Sequence, residues 1–151
     1  MISLICKQYN IKNYTINDDG SIDVNDYVDL SYKGLTELPI RFNKVSGGFH
    51  CGGNSLTSLK GSPRWVGGNF YCNRNKLTSL EFSPDYVGGY FSCENNDLTD
   101  NYCETEIGDH FYTTLKQDGL IIDGYNDSVT NYKEWRKMYK RKLILNDIFN
   151  M

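Results

Sequence analysis

One constant step recurs along the chain from Val24 to Thr99 without an insertion. It separates Val45, Val66 and Val87, then Phe49, Phe70 and Phe91, then Cys51, Cys72 and Cys93, then Asn54, Asn75 and Asn96. Leu35, Leu56, Leu77 and Leu98 carry it through four copies, and so do Thr36, Thr57, Thr78 and Thr99. A unit this short cannot bury its own apolar side chains, so it must stack on its neighbours. In the unit that starts at Val66, Phe70 and Cys72 alternate with Asn69, Tyr71 and Asn73. That period of two marks a short strand with Phe and Cys pointing inward. One such strand per turn, always in the same direction, predicts a parallel sheet of about four strands. The rest of so short a turn leaves little room for a helix, so the return limb is expected to be extended.

The earliest turn, Tyr27 to Pro39, is degenerate: Val28 and Leu30 replace Phe and Cys, and Lys33 replaces Asn. The last turn stops at Thr99, where Asp100 and Asn101 stand in place of Ser and Leu. The core F-x-C-x-x-N-x-L, followed by L-T-S-L and Pro63 or Pro84, resembles the leucine-rich-repeat pattern L-x-L-x-x-N-x-L. It is similar to the short repeats of bacterial effector proteins, and to leucine-rich-repeat proteins of tailed-phage genomes, over about residues 11–100. The resemblance implies an α+β solenoid: a leucine-rich-repeat stack with a short parallel sheet and an extended convex side. It also implies a phage origin, and it brings no assigned activity.

Both ends depart from the repeat. Residues 1–24 are read as an N-terminal cap, with a short helical turn around Ser3–Tyr9 and then a hairpin. Tyr14–Ile16 and Ser21–Val24 flank Asn17-Asp-Asp-Gly20, whose Asp-Gly is a hairpin signal. Residues 25–100 are the repeats, and 101–151 form a C-terminal α/β capping segment. Within it, Ile107, Phe111 and Leu115 lie four apart, which predicts an amphipathic helix over Glu104–Leu115 closed at Asp118-Gly119. Leu120-Ile-Ile122 reads as a strand, and a second, basic helix is expected after Asn126-Asp127-Ser128.

Composition bears on chemistry more than on fold. Residues 129–151 hold six basic side chains against Glu134 and Asp147, a local charge of +4, while the whole chain carries −3. The rest of the chain is therefore acidic, at −7. Five cysteines and no visible targeting signal point to a reducing cytoplasm, that of the host cell if a phage encodes the chain. No apolar run approaches membrane-spanning length, and no membrane role is expected. Cys51, Cys72 and Cys93 fall at inward repeat positions, where stacked thiols form a line and not a tetrahedron. They are expected to act as small hydrophobes, with neither metal nor cofactor. The asparagines are expected to satisfy backbone groups where each strand turns outward. His50 and His110 pair with no nucleophile or carboxylate at a recognised spacing, so no catalytic residue is assigned.

The outward positions vary while the inward ones repeat. Asp29, His50, Tyr71 and Ser92 lie between the Phe and Cys rows and are expected to face solvent. Tyr90, Asn73, Glu94 and Arg74 flank them. Variable aromatics and an arginine on a sheet suit a protein-binding surface, because Tyr, Trp and Arg dominate interface hot spots. Trp65 and Tyr86, just before Val66 and Val87, either pack over the repeat edge or offer further anchors. The expectation is a non-catalytic protein-binding module; with the phage resemblance, its concrete form is an inhibitor of a bacterial host defence protein. The alternative is nucleic-acid binding by the basic helix, through Lys133, Arg136, Lys137, Lys140 and Arg141 interleaved with Trp135 and Tyr139. Against it stand a pI of about 5.3 and the acidic body. Self-assembly through exposed repeat ends is a third reading.

Overall fold

The structure, a computed structural model, describes residues 1–99, 105–108, 111–117 and 120–126. The chain is a β-solenoid of about four turns, and each turn contributes a strand to each of two sheets. One is a valine sheet, built from β1 (Tyr14–Ile16), β2 (Ile22–Val24), β4 (Phe42–Val45), β6 (Trp65–Val66), β8 (Tyr86–Val87) and β10 (Glu106–Ile107). The other is a phenylalanine sheet, built from β3 (Val28–Asp29), β5 (Phe49–His50), β7 (Phe70–Tyr71), β9 (Phe91–Cys93), β11 (Phe111–Gln117) and β12 (Leu120–Asn126). Among the described residues all pairings between successive turns are parallel, and only the hairpins β1–β2 and β11–β12 are antiparallel. The expected hairpin at Asn17–Gly20 is β1–β2, and the expected helical turn is α1 (Ile2–Gln8). Among the described residues no helix is long and apolar enough to cross a membrane.

The register explains why the core repeats. Val24, Val45, Val66, Val87 and Ile107 are paired in sequence across the valine sheet. Val28, Phe49, Phe70, Phe91 and Phe111 are paired likewise across the other sheet. Phe49, Phe70 and Phe91 are fully buried, with ring centroids 5.8 and 5.1 Å apart, and Phe42 meets Phe49 edge-on at 4.9 Å. Cys51, Cys72, Cys93, Leu56, Leu77 and Leu98 are fully buried beside them. Burial pushes the Cys51 thiol up to about 12, so it stays protonated and apolar in the core.

The asparagine ladder supplies hydrogen bonds that the corner after each phenylalanine-sheet strand would otherwise lack. Asn75 donates from Nδ2 to the carbonyls of Cys51 and Cys72, each at 3.0 Å, and its Oδ1 accepts from the Leu56 amide at 3.0 Å. Asn96 repeats the arrangement one turn on, bonding Cys72, Cys93 and Leu77. Glycine serves a different need at the other bend. A methyl group on Gly88 would strike the Gly67 carbonyl, and one on Gly108 would strike that of Gly88, so successive turns close up only without side chains there.

Two expectations change. The return limb is extended as anticipated, but it forms a second parallel sheet of its own. The helix expected over Glu104–Leu115 is replaced by strand at Glu106–Ile107 and Phe111–Gln117. The apolar spacing of four was ambiguous, since Ile107 to Phe111 copies Val66 to Phe70. Pairing therefore continues past Thr99 with a single deletion: Ile107 lies beside Val87 and Phe111 beside Phe91. Leu120–Ile122 is strand as expected, within the longer β12. The second, basic helix lies outside the described residues.

Candidate binding face

The outward row of the phenylalanine sheet runs Asp29, His50, Tyr71 and Ser92, in register on adjacent strands, and Ser92 pairs in turn with Tyr112 of β11. Its members differ in exposure. Asp29 is exposed, and His50 and Tyr71 are half-buried with ring centroids 4.7 Å apart. Ser92, expected to face solvent, is buried, at 6% exposure. The reason is its short side chain, set between the Tyr71 strand and the added strand β11. Its hydroxyl donates to the Glu94 carboxylate at 3.3 Å.

Electrostatics on this row begin with Asp29. The Ser31 hydroxyl and amide both donate to Asp29 Oδ1, the amide at 2.9 Å, and these bonds hold the carboxyl below its usual range. Burial pushes the His50 imidazole down, and the Asp29 charge opposes that effect without cancelling it. The row thus presents a carboxylate, an imidazole that favours its neutral form, and a phenol ring.

One end of the face is shaped by a column of left-handed residues at one repeat position: Tyr32, Gly53, Arg74 and Asn95, with φ of 53°, 68°, 54° and 54°. Only glycine adopts that conformation freely. Gly53 also leaves a gap, into which the Tyr32 ring lies; a methyl there would overlap the ring. Arg74 reaches back across the same gap, and its Nη1 donates to the Tyr32 hydroxyl at 3.4 Å. Tyr32 is 70% exposed and Tyr27, at the opposite end of β3, is 61% exposed. A hollow of about 250 Å³ beside Tyr27, Asp29 and Lys33 continues the surface toward α1.

Six of the eight candidate residues, His50, Tyr71, Asn73, Arg74, Tyr90 and Glu94, therefore belong to the phenylalanine sheet and its margins. Asn73, Tyr90 and Glu94 are half-buried, and Arg74 is exposed. Trp65 and Tyr86 do not join them, because they sit on the valine sheet. There they stack at 5.5 Å, with the Lys44 ammonium 4.6 Å from the Trp65 ring centroid. Neighbouring strands place Lys44 on one side of Trp65 and Tyr86 on the other, so both ring faces are occupied within the chain. A groove of about 490 Å³ beside this sheet includes Arg41, Arg64 and the exposed Phe82. Its arginines are already paired, Arg41 with Asp19 and Arg64 with Asp85, each at 2.9 Å.

Comparison with protein families, with curated proteins and with solved structures finds no match. Lys133, Arg136, Lys137, Lys140 and Arg141 lie outside the described residues. Sequence reasoning missed Tyr32, because it falls in the degenerate first turn. The available signal was its position, one repeat period before Gly53 and two before Arg74.

Proposed function

We propose that this chain is a non-catalytic protein-binding module of the leucine-rich-repeat kind. In its concrete form it is a phage-encoded inhibitor that occupies a bacterial host defence protein in the cytoplasm. The observation that carries the reading is the outward face of the phenylalanine sheet. Behind it, the inward positions of the turns after the first repeat a buried Phe, Cys and Leu, whereas in front the residues change from turn to turn. Two highly exposed tyrosines, Tyr27 and Tyr32, flank its first strand. Large rigid rings give contact area at little entropic cost, which is why they anchor interfaces.

Affinity capture from a bacterial host, with matched variants as bait, tests this reading. Tyr71→Ala combined with Arg74→Ala should weaken capture of the partner by more than ten-fold while the melting temperature moves little. Tyr86→Ala, on the opposite sheet, should retain the partner. The reverse pattern would transfer the site to the valine sheet.

A further inference from the structure

The three arginines among the described residues differ in one respect. Arg41 and Arg64 each hold a carboxylate of their own chain at 2.9 Å. Arg74 has no carboxylate within ion-pair reach among the described residues; its bond is to the Tyr32 hydroxyl. The guanidinium is drawn toward Tyr32, two turns away across Gly53. Two inter-strand steps span roughly 9.6 Å, which long side chains bridge from both sides only where the middle turn has none.

We propose that Arg74 and Tyr32 form a carboxylate-recognition subsite, and that the protein partner presents there an Asp or Glu side chain beside an apolar group. This rests on the reading of the phenylalanine-sheet face as the binding surface. The guanidinium supplies a fork of donors that matches a carboxylate in geometry and charge. The Tyr32 ring, packed over Gly53 and otherwise open, supplies the apolar contact. Orienting the guanidinium before binding removes part of the entropic cost of fixing it. A single acidic side chain fits better than a phosphodiester chain. The same face carries Asp29 and Glu94, whose repulsion grows with each phosphate of a chain and is smaller for a single carboxylate placed at Arg74.

The test needs no partner. N-acetyl-Phe-Glu-amide is titrated into the 151-residue chain while the arginine Nε–H resonances are followed by NMR. The Arg74 resonance should shift at least three-fold more than those of Arg41 and Arg64, and N-acetyl-Phe-Gln-amide should abolish the excess. Gly53→Ala, which displaces the Tyr32 ring, should lower the Arg74 response to that of the paired arginines. Tyr32→Phe, which keeps the ring and removes the hydroxyl, should lower it partly and serves as the variant that preserves the fold. Equal shifts at all three arginines would overturn the subsite, and so would a stronger response to a thymidine decanucleotide than to the dipeptide. Because this readout belongs to the isolated chain, its failure is distinguishable from loss of the face in the capture experiment.

Discussion

The same coil winds both sheets, yet their outward faces are finished differently. On the valine sheet the outward row is Asp23, Lys44, Trp65, Tyr86 and Glu106, and its described partners lie largely within the chain. Asn43 donates to Asp23 at 2.7 Å, Lys44 caps Trp65, Trp65 stacks on Tyr86, and Arg64 meets Asp85. On the phenylalanine sheet the first turn leaves Tyr27 and Tyr32 open, and Arg74 is held by a phenol and not by an acid. A solenoid needs its inward rows to be regular, because each turn must fit the next. It places no such demand on the outward rows, so their residues are free to change from turn to turn.

The largest expected effects lie in the shared interior. Phe70→Ala should cost on the order of 3–5 kcal/mol, since it empties a fully buried ring site between Phe49 and Phe91. Val66→Ala, equally buried on the other sheet, removes two methyl groups and should cost about 2 kcal/mol. Chemical denaturation of the two variants measures the difference. Equal losses would mean that the sheets do not divide the core as described.

Next in size is the asparagine ladder. Asn75→Ala leaves the buried Leu56 amide without its acceptor and takes one of two asparagine donors from the Cys51 and Cys72 carbonyls, so it should destabilise by about 2 kcal/mol. Asn54 makes similar bonds, but it is half-buried beside the more open first turn, where water can replace them. Asn54→Ala should therefore cost about half as much. A larger loss at Asn54 would place the stability of the stack at its first corner.

Much of this was legible in the sequence, for reasons that particular residues make clear. Phe recurs because each ring packs on its copy in the adjacent turn, and Asn because each bonds the Cys carbonyl and Leu amide of the turn before, so contact in space is written as period in sequence. The fifth copy of the Val and Phe positions was hidden by a single deletion between Val87 and Ile107, which turned the repeat's step from Val to Phe into an apparent helical stripe. The valine sheet was hidden by the brevity of its strands: a pair such as Trp65–Val66 cannot display an alternation. The pairing of Arg74 with Tyr32 was illegible for another reason. It depends on an absent side chain at Gly53 and on a contact that spans two repeats.

A smaller effect distinguishes the faces by pH. His50 has its folded pKa lowered, chiefly by burial, so folding favours the neutral ring. The stability this gives is fully present above the unfolded value of about 6.5 and is lost as pH falls through the folded value. Asp29, also lowered, acts in the same direction at more acidic pH. The His50 ring protons should titrate below the ordinary histidine range, and Asp29→Asn should move the midpoint lower still. His50→Gln should flatten the fall in melting temperature between pH 7.5 and 5. A midpoint raised above the ordinary value would mean that the Asp29 charge, and not burial, governs this row.

The least of the expected effects decides whether the valine-sheet face is satisfied by its own residues. Lys44 stands 4.6 Å from the Trp65 ring centroid, and Trp65 is still 36% exposed, so water screens the contact. A cation over an indole at such a site contributes about 0.5–1 kcal/mol. Single and double substitutions, Lys44→Ala and Trp65→Ala, isolate that coupling from the packing each side chain makes elsewhere. The cycle should give a coupling within this range, reduced by added salt. Tyr86→Ala should leave the Lys44–Trp65 coupling in place, because Tyr86 lies on the opposite side of the indole. A coupling of zero would mean that the Trp65 ring face is open to a partner. The contrast between a closed valine face and an open phenylalanine face would then fail, and Trp65 would again count as an anchor.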